Sequence, residues 1–371
     1  MKLLLAPDKF KGTLTAEQAA EIEKEAISSV LPDAEIRCLP LADGGEGTVA
    51  ALTRALNGRW KSVRVNDPLG RPVSAIYGIA GETAILEMSS ASGMSLLKRE
   101  ELNPMRTSTF GTGELILSAL KDGAERIIIG IGGSATVDGG IGMAEALGYR
   151  FFDSSGKPLS RFHGTMPQMI ARIDSSAVSP VLFQCEILIA SDVTNPLLGP
   201  HGAAAVFAPQ KGATAEMLPL LERNLETLSN VLIRQGMIER ADYPGDGAAG
   251  GLGMGLRAFC KARPVSGARL AMELTGFESL LSEMDYVITG EGCTDSQTED
   301  GKLCSEIAKI CRKHHVKCIL LSGAVKGDPA VLATDFHLIK AATPERTPLE
   351  QIQQNAARYL SDAAKELAEK L

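Results

Sequence analysis

A short apolar run that ends in a loop of glycines and carboxylates, followed by a stretch at helical spacing, recurs at both ends of this chain. A helix-covered parallel sheet is the architecture that such a rhythm satisfies. Lys2–Leu5 is apolar and closes in Pro7-Asp8. From residue 15 to residue 30 the apolar positions Ala19, Ala20, Ile22, Ala26, Ile27 and Val30 keep helical spacing, and Thr15 with Gln18 three residues on carries a capping-box signature. A second strand over 35–39 leads through Asp43-Gly44-Gly45-Glu46-Gly47-Thr48 into a helix over 49–56. This βαβα unit is the start of a parallel sheet.

The texture changes near Gly58. Residues 59–88 alternate with period two between turn signals at Asn66-Asp67-Pro68, Leu69-Gly70 and Ala80-Gly81, the pattern of antiparallel hairpins. Strand-like runs follow at 126–131 and 186–190, with helices at about 111–121 and 214–235. Beyond the glycine-rich stretch 245–255 the first rhythm returns as helix 268–282, strand 286–289, helix 303–313, strands 318–321 and 336–339, and helix 349–370. The expected fold class is α/β with two domains. A flavodoxin-like or Rossmann-like parallel α/β domain is formed by both termini (1–58 plus 262–371), and an inserted α/β domain with a mixed sheet occupies 59–261.

Composition narrows the partners. Lys plus Arg number 38 and Asp plus Glu 45, a net charge of −7 that gives no reason to seek a polyanion. Aromatic residues are 4% of the chain, too few for a base-stacking platform or an interfacial belt. Neither nucleic acid nor membrane is therefore an expected partner. Pro7-Asp8-Lys9 stops the first apolar run before a signal-peptide core forms, and no run nears the roughly 18 residues of a membrane helix, so a cytoplasmic location is expected. Oligomeric state, monomer or homodimer, is not legible. Seven cysteines without a CxxC read as buried thiols rather than a metal site. Glycine is the excess, 38 of 371 residues, or about 10% against roughly 7% in average usage.

Five loops carry the chemistry. Strand Tyr286–Thr289 runs into Gly290-Glu291-Gly292-Cys293-Thr294-Asp295, and Glu291 with Asp295 suits a hydrated Mg²⁺, which takes one or two carboxylates plus phosphate oxygens. A helix cap beside an exposed Glu is the plainer alternative. Gly301-Lys302 follows, either as a phosphate contact or as a solvated lysine. After the run 126–131, the segment 130–140 offers backbone N–H groups and hydroxyls as an anion cradle, with Gly132, Gly133, Ser134 and Asp138 as candidate contacts. Its Gly130-x-Gly132-x-x-Ala135 spacing also matches a dinucleotide fingerprint, with Asp153 where a ribose-binding acid would stand. Against that, Asp138 and Gly139-Gly140 put a charge and two helix breakers where the motif wants a helix. Asp192, just beyond an apolar run, has the chemistry of a general base, with Thr194 and Asn195 beside it for the substrate, or belongs to an Asx turn before Pro196. Asp8, Lys9 and Lys11 bring an acid and two cations to a strand end, for an anionic substrate or as a surface cluster. Asp43 and Glu46 stand at a helix start, where capping alone accounts for Asp43. The stretch 245–253, with Gly250 and Gly251, is a hinge or a ligand contact. There is no GxxxxGK[ST], no protein-kinase motif and no HExxH.

Taken together, eight collinear stretches resemble the type I glycerate kinase family, which phosphorylates D-glycerate with ATP. They are APDKFKGTL (6–14), ADGGEGT (42–48), TSTFGTGEL (107–115), IGGSATVDGG (131–140), SDVTNPLLGP (191–200), APQKGA (208–213), GAAGGLG (247–253) and TGEGCTDSQTEDGK (289–302). The resemblance implies a two-domain α/β phosphotransferase that uses ATP and Mg²⁺ and, in the bacterial members, releases 2-phosphoglycerate. Three alternatives stay open: 3-phosphoglycerate as the product, a nicotinamide-dependent hydroxyacid oxidoreductase built on 130–135, and a non-catalytic sugar-acid sensor. In the family pattern position 9 is often serine, 137 asparagine and 293 arginine; here they are Lys9, Val137 and Cys293. The missing arginine removes an anion contact and leaves Lys302 or Lys11 to serve. The catalytic set on this reading is Asp192 as base with Asp8 and Lys11. Glu291 and Asp295 hold the metal, and Lys9, Asp43, Glu46, Gly132, Gly133, Ser134, Asp138, Thr194, Asn195, Gly250, Gly251 and Lys302 meet substrate or phosphate. Phosphoryl transfer asks for positioning and neutralisation of spreading charge, which such a set supplies.

Overall fold

The two ends of the chain meet in one sheet. In the computed structural model, which describes every residue except 43, 46, 161–163, 165–168, 295–302, 327 and 328, Lys2–Leu5 pairs in parallel with Glu35–Cys38 on one side and Tyr286–Thr289 on the other. Lys317–Ser322 and Leu338–Ala341 extend the sheet, again in parallel. Counted along the chain, the strands lie in the order 2-1-3-4-5, the doubly wound flavodoxin-like arrangement, which reverses direction between its first and third strands. The strands read as continuous apolar runs because both faces are covered, and Leu3, Leu4, Leu5, Ile288, Ile319 and Leu321 are fully buried. The helices Ala16–Val30 and Leu349–Ala368 pack together through Ala19, Ala26, Ile27, Leu360 and Ala364. The capping box forms: Thr15 Oγ1 accepts from the Gln18 N–H at 3.2 Å and Gln18 Oε1 from the Thr15 N–H at 2.9 Å.

A second sheet has six strands in the order Arg263–Val265, Glu186–Ala190, Arg126–Gly130, Thr83–Glu87, Pro72–Ala80 and Arg59–Asn66. The first four run parallel, and the last two are added as antiparallel hairpins. This is the mixed sheet expected. Its core draws on Ile127, Ile129, Ile187 and Ile189 from the strands and on Leu225, Leu228 and Leu232 from the helix Leu218–Arg234. The chain divides into two compact units, Met1–Asp43 with Ala50–Leu56 and Ala268–Leu371, and Gly44–Val49 with Asn57–Gly267. Among the described residues no helix is long and apolar enough to cross a membrane.

Several local expectations are corrected. The helix expected over 268–282 is broken into Gly267–Leu274 and Phe277–Leu280, because Thr275 turns its hydroxyl back onto Ala271 O at 2.7 Å and Gly276 adopts φ +68°. The strand expected over 336–339 begins at Leu338, since the Phe336 N–H closes the helix Pro329–Asp335 on Leu332 O. Cys38 is exposed and Cys293 half-buried, so only five of the seven thiols are the buried ones expected.

Candidate active site

At the reversal point of the first sheet, the loops that follow Leu5 and Thr289 lie side by side. The Asp8 N–H donates to Gly290 O at 2.8 Å, and Thr289 Oγ1 donates to Ala6 O at 2.8 Å. A Cβ on Gly292 would stand 2.9 Å from the backbone nitrogen of Lys11, so glycine there is what lets the loops touch. Asp8, Lys9, Lys11 and Glu291 are thereby gathered at one strand end, the place where sheets of this kind bind ligands. Asp8 is buried; its Oδ1 accepts from the Lys9 N–H at 2.7 Å and lies 3.7 Å from Lys9 Nζ. Half-buried Glu291 accepts from Thr294 Oγ1 at 3.3 Å, and Thr294 Oγ1 shares a 2.7 Å hydrogen bond with Ser322 Oγ. Ser322 Oγ also accepts from the Glu291 N–H at 3.3 Å, a brace that sequence reading missed because a Ser-Gly strand end looks like any turn. The donor set is hard oxygen, which fits Mg²⁺ in kind. Among the described residues no cluster of three or more metal-ligating side chains forms. Asp295 and Lys302 lie outside the described residues.

In the second unit the loops after Glu87, Gly130 and Ala190 are neighbours because their strands are. The segment 44–49 is laid across these ends: a Cβ on Gly44 would lie 2.3 Å from Ala190 O, and one on Gly130 2.5 Å from Gly44 O. The Val49 N–H donates to Glu87 Oε1 at 2.9 Å, which adds Glu87 to the site. Asp43 and Glu46 lie outside the described residues. The loop beyond Arg126–Gly130 is stitched to a neighbouring segment by Met94 N–H to Gly133 O and Ala135 N–H to Ser92 O, both 2.9 Å. That leaves the N–H groups of Gly132, Gly133 and Ser134 with no acceptor among the described residues, and three successive donors make a nest for an anion. Asp192 follows Glu186–Ala190, and its Oδ1 accepts from the N–H of Gly267 at 3.1 Å. Thr194 is exposed, and Asn195 Nδ2 donates within its own loop to His201 O at 2.9 Å.

Beneath the nest lies a lysine that the sequence reading does not single out as a site residue. A π-helical turn, Ala203–Phe207, and a 3-10 turn, Pro209–Lys211, carry Lys211 inward until it is 1% exposed. Its Nζ contacts Ser134 Oγ at 2.5 Å and Thr136 O at 2.7 Å. Loss of solvent pulls the Lys211 ammonium down to about 7, while the negative charge of Asp138 works the other way. The only sequence signal was its place in one of the eight matching stretches.

Three readings of the loop region change. Asp138, expected to meet substrate, is 0% exposed, and its carboxylate is taken up by Thr109 N–H (2.9 Å), Thr109 Oγ1 (2.8 Å), Gly140 N–H (3.1 Å) and Gly142 N–H (3.3 Å). Burial raises its pKa against those hydrogen bonds, and it holds the loop from inside. Gly250 and Gly251 are likewise buried packing positions: a Cβ on Gly250 would stand 2.0 Å from Thr136 O, so glycine here admits the loop backbone rather than a ligand. The dinucleotide fingerprint fails on topology. No helix begins until Ile141–Ala146, and Arg150–Phe152 belongs to a separate three-stranded antiparallel sheet. Asp153 there caps its own turn, accepting from Ser155 and Lys157 N–H groups at 2.9 and 3.0 Å.

Known proteins resemble this chain in sequence and in fold. The model of the Glycerate kinase family matches residues 3–371. The chain is 44% identical over 371 residues to a glycerate kinase of Bacillus subtilis, covering 99% of this chain and 97% of that one. It is 42% identical over 334 residues to the glycerate 2-kinase of Escherichia coli, covering 90% and 87%. A crystal structure assigned to glycerate kinase 2 from Salmonella typhimurium LT2 superposes with a TM-score of 0.85 at 40% identity, covering 100% of this chain and 98% of the other. A resemblance first met in eight short stretches thus extends along the whole sequence and through both sheets, and the chain belongs to the glycerate kinase family.

Proposed function

We propose that this protein transfers the γ-phosphoryl group of ATP to the 2-hydroxyl of D-glycerate. The observation that carries the reading is the nest of three N–H donors at 132–134, unclaimed among the described residues and set at the carboxyl end of a parallel strand above a buried lysine, in a chain of this family. Such a nest is preorganised for phosphate oxygens and needs no rearrangement as charge moves onto them. Lys9 and Lys11 meet the glycerate carboxylate as point charges. Asp192 takes the proton of the attacking hydroxyl, and its bond to Gly267 fixes the carboxylate for that task. Glu291, with Asp295, would hold Mg²⁺, which when bound neutralises charge on the phosphate oxygens. A cytoplasmic location, where ATP is supplied, belongs to the same reading.

The test is ³¹P NMR of a mixture of protein, D-glycerate, ATP and MgCl₂. The expected result is consumption of ATP with the appearance of 2-phosphoglycerate. A 3-phosphoglycerate signal would reassign the accepting hydroxyl, and no phosphorylated product here, with NAD reduced in a parallel mixture of protein, D-glycerate and NAD, would overturn the reading.

A further inference from the structure

Lys211 is buried, yet among the described residues it makes no ion pair. Isolated buried ammonium groups are costly unless a counter-charge is at hand. Asp138 is a charged group whose field reaches Lys211, but its oxygens are held by Thr109, Gly140 and Gly142. Lys211 instead contacts two neutral oxygens of the anion loop, Ser134 Oγ and Thr136 O. A second polar group beside it is unclaimed: Thr136 Oγ1 is buried without a hydrogen-bond partner among the described residues.

The geometry of the two contacts differs in kind. Thr136 O is a carbonyl and accepts from Lys211 in any state. Ser134 Oγ has one proton and two acceptor sites, so its contact runs in either direction: a neutral amine accepts from the hydroxyl, and an ammonium donates to it. Negative charge settling on the 132–134 amides favours the ammonium form. Ser134 then accepts from Lys211, and its own O–H is released to donate to the ligand.

We propose that Lys211 is the buried counter-charge of the phosphate bound at 132–134, and that it acts through Ser134, whose hydroxyl it turns into a fourth donor toward the ligand. Lys211 is thus a positioning residue, and the proposal rests on the phosphate-loop reading above. Proton balance is explicit: Lys211 gains one proton from solvent as the phosphate binds, and releases it on departure. No bond is made or broken.

Calorimetric titration of ADP into the intact protein near pH 8, in buffers of different ionisation enthalpy, tests this. Net proton uptake is expected for the wild type and is expected to vanish in Lys211→Met. Lys211→Met and Ser134→Ala are each expected to weaken ADP about 10²-fold, the upper scale of losing one hydrogen bond to a charged group, and the double variant no more than either alone, because the two form one unit. Undiminished uptake in a folded Lys211→Met, or additive losses, overturns the inference. Should Lys211→Met fail to fold, the Lys211 ¹³Cε resonance in the wild type decides: its titration midpoint is expected to rise when ADP is bound, and an unmoved midpoint is the contrary result. Unchanged ADP affinity in Ser134→Ala likewise overturns the inference, which needs the hydroxyl, and leaves standing the phosphate-loop reading, which rests on backbone amides that this variant keeps.

Discussion

Glu23, on the inner face of the helix Ala16–Val30, is fully buried with neither carboxyl oxygen hydrogen-bonded among the described residues. Burial raises its pKa well above the ordinary value of 4.5. A raised carboxyl means that the folded state binds the proton more tightly than the unfolded chain, so its contribution is intact below pH 4.5 and is lost as pH climbs toward the folded-state value. Glu23→Met, of similar volume, is expected to stabilise the protein by about 1–3 kcal/mol, the usual cost of an unsatisfied buried polar group, with a larger gain at pH 8 than at pH 5 in urea denaturation. Asp192 offers a contrasting test. Asn caps a helix start as well as Asp does but takes no proton, so Asp192→Asn is expected to hold the melting temperature while kcat falls by at least about 10²-fold. At this scale the sequence showed residue types and not burial. Asp138 and Lys211 look like surface polar residues in a one-dimensional reading, and only the packing of Thr109 and Ser134 around them assigns their work.

Between residue and fold lie the caps and kinks. Thr15→Ala removes one half of a capping box that forms as its spacing says, and about 1 kcal/mol is expected to be lost, read as a lower urea midpoint. Gly250 tests a subtler feature. Ala249, Gly250 and Gly251 are three successive left-handed residues, and a methyl at position 250 would meet Thr136 O at 2.0 Å. Gly250→Ala is expected to destabilise by about 1–3 kcal/mol from backbone strain and, by displacing Thr136, to raise KM for ATP, which steady-state kinetics would show. Caps, turns and strand runs were legible because each depends on neighbours within about four residues. The break at Gly276 and the role of Gly250 were not, since a glycine looks the same whether it turns, hinges or admits another backbone.

Across the molecule, the parallel rhythm at the two termini was enough to foresee a sheet closed by both ends, and the hairpin texture after Gly58 enough for the mixed one. Which loops share a strand end was not foreseeable, because pairing of Lys2–Leu5 with Tyr286–Thr289 joins residues far apart in the chain. That pairing sets Lys11 beside Gly292 at the reversal point of the first sheet, while the amide nest 132–134 belongs to the second. The two donor sets differ in chemistry. Lysines are compact, mobile charges suited to one carboxylate, whereas fixed amides match the several oxygens of a polyphosphate. Lys11→Met is therefore expected to raise KM for D-glycerate about tenfold, equivalent to ~1.4 kcal/mol of binding, with KM for ATP nearly unchanged. Ser134→Ala is expected to have the opposite pattern, raising KM for ATP about 10²-fold with KM for D-glycerate nearly unchanged. Two-substrate kinetics on both variants and on their combination would check the assignment: independent sites give a double variant carrying both losses in full, and an exchange of the two effects would move glycerate to the nest and the nucleotide to the lysines.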